Sequence, residues 1–379
     1  MNLLIAHYRP DIVSGAENSI ADLVDQLDPR FRVTMLVPGP GRLADFFHNR
    51  NYRVWTRYIE TPRRLFPGLH SLQSRLFARE LRQQNLDLVI CNTFPAASRV
   101  AKAAQFADLP VVIYMRDYIA DTLLHRKMLG QADALFAISK DVIHKHEHMA
   151  RSDQFRLAYN FINPDPVLDR YEAHLASGKR LLPFPSQQPV VGLVGRITAN
   201  KQPDLFIRAA AQVIQSVPDA RFALVGKAQP RERAFEEHLK ALADHLGLSG
   251  KIAFLGQRND AVEVSSEFTI SCLTSSREPL GRVILEAHLL GVPVIVPDVG
   301  GPAEIVENEV SGLTFSPQSP DAETQLAQQI IRLLNDPDLR DCLARKGRER
   351  VMNTFASRRH VRIQEEYFEQ IISSRASRR

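Results

Sequence analysis

Short apolar runs rich in Val, Ile and Leu alternate along this chain with longer stretches in which apolar residues recur every three or four positions. A strand covered by helices on both faces reads as a continuous apolar run, and the amphipathic stretches supply those helices. The pattern predicts strands at residues 3–6, 33–37, 88–91, 111–114 and 134–138, then a second set at 190–194, 222–225, 252–255, 268–273 and 294–296. Alternating strands and helices of this kind belong to the α/β class, with doubly wound parallel sheets. Between the two sets, residues 160–188 carry several prolines and one short helical pattern, which reads as a linker over 166–188. The expected domains are therefore 1–165 and 189–356. Helical patterns follow at 322–334, 338–353 and 357–373, the last with an apolar face of Val361, Ile363, Tyr367, Phe368 and Ile371.

Length agrees with two domains, because 379 residues exceed what one hydrophobic core usually serves. No apolar run approaches the roughly 18 to 20 residues that span a bilayer. The N-terminus enters a strand pattern without a cationic leader, so the expected location is the cytoplasm. Cys91, Cys272 and Cys342 are too few and too far apart for a disulfide frame or a metal cluster. Charge changes the picture more. Residues 1–164 hold 21 Lys and Arg against 16 Asp and Glu, which is the whole net charge of +5. That bias fits an anionic partner and fits a plain solubility charge equally. Residues 61–70 combine Arg63 and Arg64 with Leu65, Phe66 and Leu69, as a peripheral membrane patch would, or as a connecting loop tucked into its domain would. No aromatic-interleaved basic motif suggests nucleic acid. The one Asp-x-Asp, Asp336-Pro-Asp338, reads as a helix start, so no metal and no cofactor are expected.

The densest chemistry is Glu278-Pro279-Leu280-Gly281-Arg282, with Glu286 four residues beyond Arg282. A glycine opening a helix lets a phosphate reach amide groups that the helix leaves unpaired, and the carboxylates suit sugar and ribose hydroxyls. Directly after a predicted strand stands Gly195-Arg196-Ile-Thr-Ala-Asn-Lys201, and two further glycine turns precede helical patterns, at Ser14-Gly15-Ala-Glu17 and at Asp298-Val-Gly300-Gly301. Gly300 and Gly301 would allow close approach of backbone to a ligand, while Asp298 fits a structural turn as well as a ligand contact.

Taken together these motifs resemble the retaining glycosyltransferases of family 4, most closely over residues 190–316. The resemblance implies a GT-B fold of two Rossmann-like domains, an acceptor-binding one at 1–165 rejoined by the final helix at 357–379, and a donor-binding one at 189–356. It implies catalytic roles for Arg196, Lys201 and Glu278. A nucleoside-diphosphate-sugar of the UDP or GDP type would touch Gly15, Arg196, Lys201, Pro279, Leu280, Gly281, Arg282 and Glu286. Ser14, Arg116 and Asp117 fall on the acceptor or sugar side. The acceptor would be a glycan or lipid-linked molecule, as in polysaccharide or lipopolysaccharide synthesis. One departure is Arg116, which stands where many members carry a histidine; a guanidinium cannot act as a base at neutral pH. An epimerase of the same fold, or an impaired binding protein, are the alternatives.

Overall fold

Two families of apolar strands build two separate sheets. In the computed structural model, which describes residues 1–12, 15–58, 67–356 and 358–377, the chain divides into one unit of Met1–Phe161 with Ser357–Arg379 and a second of Ile162–Ala356.

Among the described residues the first unit holds seven parallel strands: β1 (Asn2–Ala6), β2 (Arg32–Val37), β3 (Arg53–Thr56), β4 (Leu88–Cys91), β5 (Val111–Met115), β6 (Ala134–Ala137) and β7 (Phe155–Leu157). Their order is β3-β2-β1-β4-β5-β6-β7, so the winding reverses between β1 and β4. Leu3, Leu4 and Ile5 are wholly buried because helices cover both faces. The edge strands β3 and β7 escape the apolar pattern: one is the half-exposed Arg-Val-Trp-Thr and the other has three residues. The final helix, Arg359–Ala376, belongs to this unit. Its Phe368 stacks on Phe136 of β6 at 5.6 Å and meets Phe31 edge-on at 6.2 Å, while Tyr114 of β5 donates to Gln364.

The second unit holds β8 (Val190–Val194), β9 (Arg221–Val225), β10 (Ile252–Phe254), β11 (Ile270–Cys272), β12 (Val294–Pro297) and β13 (Leu313–Phe315), in the order β10-β9-β8-β11-β12-β13. Here the winding reverses between β8 and β11. The expected linker at 166–188 requires correction, because this stretch packs into the second unit. Its helix, Pro164–Ser177, is capped by Asn163 and closed by Gly178 at φ 61°. Arg170 forks onto Glu263 at 2.9 and 2.5 Å, and Glu267 takes His174 at 3.1 Å and the Leu181 amide at 2.7 Å. Leu182 and Phe184 are buried beyond it. The unit thus begins at Ile162 rather than at 189, and its two ends are tied where the Ile162 amide donates to the Phe355 carbonyl at 3.0 Å. Asp336 caps the helix Pro337–Arg350 by accepting the Leu339 amide at 2.9 Å.

One buried group here titrates with the fold. His288, on the helix Arg282–Leu289, is fully buried, and neither ring nitrogen has a hydrogen-bond partner among the described residues. Gly347 leaves it room: a Cβ there would lie 2.1 Å from Nδ1. Burial, aided by the Arg350 charge, holds its pKa down at about 3. Below its unfolded value near 6.5 the unfolded chain therefore binds a proton that the folded chain refuses, and stability falls as pH drops from 6.5 toward 3, by up to about 1.4 kcal/mol per pH unit. Urea melts from pH 7 to pH 4 are expected to show this slope reduced in His288→Leu; an identical slope in the variant would remove the assignment.

Candidate functional site

Ligands of open parallel sheets bind beyond the carboxyl ends of the strands, where the winding reverses. In the second unit that place is flanked by the segments after β8 and β11, which carry Arg196 with Lys201 and Glu278 with Gly281. The Thr274 hydroxyl donates to the Lys201 carbonyl at 2.6 Å, and the Ser276 amide donates to the Asn200 carbonyl at 3.0 Å, so the two segments are tied directly. Gln202 then takes a left-handed conformation, φ 44°, which turns the chain into the helix Pro203–Ser216.

The charges brought together there mostly satisfy each other. Lys201 forms an ion pair with Glu278, whose side chains are 21% and 12% exposed, and the Ser275 hydroxyl donates to the same carboxylate oxygen at 3.2 Å. On the next helix Arg282 donates to Glu286 at 2.9 Å, one turn apart. Arg196 is exposed, and no partner to it exists among the described residues. Gly281 opens the helix Arg282–Leu289 at φ 96°, a conformation that favours glycine; the Ile284 amide donates to the Gly281 carbonyl at 2.9 Å, and the helical amides before it lack intrahelical acceptors. Leu280 is only 2% exposed, so almost nothing of this expected contact is open to a ligand.

Gly301 corrects one expectation. Its close approach is to protein backbone rather than to a ligand: a Cβ would lie 2.2 Å from the Pro279 carbonyl oxygen and 2.3 Å from Leu280 Cα, and its amide donates to the Glu278 carbonyl at 3.0 Å. The turn after β12 therefore acts as a brace under Glu278–Gly281. Gly300, at φ 72°, makes that turn possible. Asp298 is exposed and its amide donates to Phe315.

The first unit carries a second polar cluster at its own reversal point, between β1 and β4. Arg116, just past β5, donates through Nε to the Asn92 side-chain oxygen at 2.8 Å and to the Asn92 carbonyl at 3.1 Å, and through Nη1 to Asn160. A guanidinium only donates, so the Asn92 oxygen must face it. The Asn92 nitrogen then donates to His7 Nδ1 at 3.1 Å and to the Ala16 carbonyl at 3.2 Å. That fixes the His7 proton on Nε2, from which it donates to Glu17 at 2.8 Å. His146 secures the loop beyond Arg116 by accepting the Ile119 amide and donating to the Val142 carbonyl, each at 2.8 Å. Asp117 is exposed on that loop. Gly15 begins the helix Gly15–Gln26, three residues before the expected start, and Ser14 lies outside the described residues. His7, Glu17, Asn92 and Asn160 are absent from the sequence-based site. A signal for two of them was present, a polar residue directly after an apolar run.

Two family models match the chain, "Glycosyltransferase Family 4" over residues 13–166 and "Glycosyl transferases group 1" over residues 179–350. Among curated relatives, a D-inositol 3-phosphate glycosyltransferase of Corynebacterium urealyticum is 27% identical over 230 residues, 59% of this chain and 53% of that protein. An N-acetyl-alpha-D-glucosaminyl L-malate synthase of Bacillus anthracis is 26% identical over 234 residues, 62% of this chain and 58% of that protein. The chain spans about half the length of the curated relatives it matches. Anabaena Alr3699/HepE, solved in complex with UDP and glucose, superposes with a TM-score of 0.81 at 22% identity, covering 98% of this chain and 100% of that one. WaaG, a glycosyltransferase involved in lipopolysaccharide biosynthesis, gives 0.70 at 17% identity, covering 97% and 99%. At these identities the likeness is one of fold, and the fold is GT-B.

The brace at Gly301 is testable without a ligand. Gly301→Ala must push the turn off Pro279–Leu280, and such overpacking is expected to lower stability by about 1–3 kcal/mol. A denaturant melt in which the variant matches the parent would contradict the brace.

Proposed function

This chain is a glycosyltransferase of family 4, and from that premise we propose that it moves a sugar, with retention, from a UDP- or GDP-type donor to a glycan or lipid-linked acceptor of cell-surface polysaccharide or lipopolysaccharide synthesis. The observation that carries the donor half is at the β8–β11 reversal: an exposed Arg196, without a partner among the described residues, beside the Lys201–Glu278 pair and the helix start at Gly281. UDP and glucose in the Anabaena structure support a nucleotide-sugar.

The leaving nucleoside diphosphate gains negative charge as the bond to the sugar carbon breaks. Arg196 offers a fork to two phosphate oxygens, and the first-turn amides beyond Gly281 add oriented donors, both stronger for the departing group than for the bound sugar ester. Lys201 divides its charge between Glu278 and the phosphate. Glu278, steadied by Ser275, is left to orient sugar hydroxyls, and Glu286, steadied by Arg282, to accept from the ribose. The leaving phosphate takes the acceptor proton on the same face, so no side-chain base is needed there, and Arg116 in place of a histidine is compatible with turnover. Its role is to hold an acceptor or sugar group.

A panel of UDP-, GDP- and ADP-sugars read by thermal shift tests the donor. The matching sugar, at a hundred times its Kd, is expected to stabilise the protein by about 2.7 kcal/mol. With that donor, Arg196→Ala is expected to lower turnover by about two to three decades with its melting temperature kept, and NMR of the product to show the donor's anomeric configuration. Parental rates in the variant, or inversion in the product, would refute the mechanism.

A peripheral contact with anionic membrane is part of the same reading. Residues 61–66 of the expected patch lie outside the described residues, but the helix that follows, Pro67–Arg82, exposes Leu72 and Leu76 one turn apart together with Arg75 and Arg79. Among the described residues no helix is long and apolar enough to cross a membrane. Each cation near an anionic surface contributes about 1 kcal/mol, so Arg75→Glu with Arg79→Glu is expected to abolish co-sedimentation with anionic vesicles at low salt. Binding unchanged by the double substitution would move the contact elsewhere.

A further inference from the structure

We propose that Lys227 is a second phosphate-binding cation of the donor site, paired with Arg196 where β8 and β9 end. The proposal rests on the donor reading above and adds a residue to it.

The first support is register. β8 and β9 run in parallel from Val190↔Arg221 to Val194↔Val225, and a bridge beyond their ends, Ile197↔Ala228, keeps the same offset, with the Ile197 amide donating to the Lys227 carbonyl at 3.3 Å. Arg196 and Lys227 therefore occupy matching positions on neighbouring segments, about 4.8 Å apart as strands are spaced. Both are exposed, and neither has a hydrogen-bond or ion-pair partner among the described residues.

Glycines hold the two segments in place. Gly226, at φ 148°, lies so close to its neighbour that a Cβ would stand 1.7 Å from the Gly195 oxygen, and its amide donates to the Gly256 carbonyl at 2.8 Å. On the open side the opposite holds: a Cβ on Gly195 or on Gly256 would meet nothing within 4 Å. The ends of β8, β9 and β10 thus form a bare shelf beside the winding reversal, with Arg196 and Lys227 following its first two glycines. Glu236, the carboxylate bound to this loop, is engaged by the Ala228 amide at 2.9 Å and by Lys240 at 3.7 Å.

Charge supplies the third support. Of the cations at the site, Lys201 is paired with Glu278 and Arg282 with Glu286. A nucleoside-diphosphate-sugar carries one negative charge on each phosphate, and Arg196 with Lys227 supply one positive charge for each. Two cations on neighbouring segments can each meet a different phosphate, which suits two linked phosphates better than one.

The test is calorimetric titration of the full chain with UDP, GDP and inorganic pyrophosphate. Lys227→Met is expected to weaken the nucleotide that binds, and pyrophosphate, by about tenfold, with Lys227→Arg restoring most of the affinity and the loss shrinking at high salt. Arg231→Met, a nearby exposed cation outside the register, is expected to change neither. If Arg196→Ala weakens the nucleotide but Lys227→Met leaves both ligands at parental affinity, the proposal is overturned and the donor reading stands. If the parent binds neither nucleotide nor pyrophosphate, the donor reading falls and the proposal with it.

Discussion

A parallel sheet with helices on both faces has nowhere to keep polar groups except at the ends of its strands, and this constraint organises both units. Each strand enters as an apolar run and releases its first polar side chain where the run stops. His7 follows β1, Asn92 follows β4, and Arg196 follows β8 after a single glycine. The helices matter to function chiefly because they close the faces. What remains exposed is a line of loop residues whose positions are inherited from the hydrogen-bond register of the strands beneath them.

Within that line, opposite charges hold the polar groups of the second unit in place. Lys201 with Glu278 and Arg282 with Glu286 are largely buried, so the cost of taking the charges out of water offsets much of their attraction and neither pair adds much to folding. Their value lies in geometry. Each carboxylate is kept from wandering by a cation on a tied segment or one helical turn away, and the Gly301 brace fixes the segment itself against Pro279 and Leu280. The affinity for a ligand is then not reduced by the entropy of ordering long side chains.

Much of this was legible in the chain. Strands buried on both faces announce themselves, and glycine turns that precede helices do so too, which is why Arg196, Lys201, Glu278, Gly281 and Glu286 can be located without coordinates. Edge strands could not be, since β3, β7 and β13 are short or half-polar and depend on a neighbour for half their hydrogen bonds. The stretch 166–188 reads as a linker because of its prolines, whereas Glu263 and Glu267, far along the chain, dock it onto the second unit. Gly301 looked like a ligand glycine because sequence shows the absence of a side chain and not which backbone needs the space. The chain from Arg116 to Glu17 joins residues up to about a hundred positions apart, and no local pattern connects them.

That chain has an evolutionary consequence. Because a guanidinium at 116 fixes which way the Asn92 amide points, and the amide fixes the tautomer of His7, each position constrains the next. A histidine at 116 could accept as well as donate, and one of the two constraints on the Asn92 amide would be lost, the other being the Ala16 carbonyl that takes its nitrogen. Exchange of arginine for histidine at this place is therefore a change of a whole set of residues, and across descendants of this lineage positions 7, 17, 92 and 116 should drift as a group, with intermediates that carry the new residue alone being the rare ones.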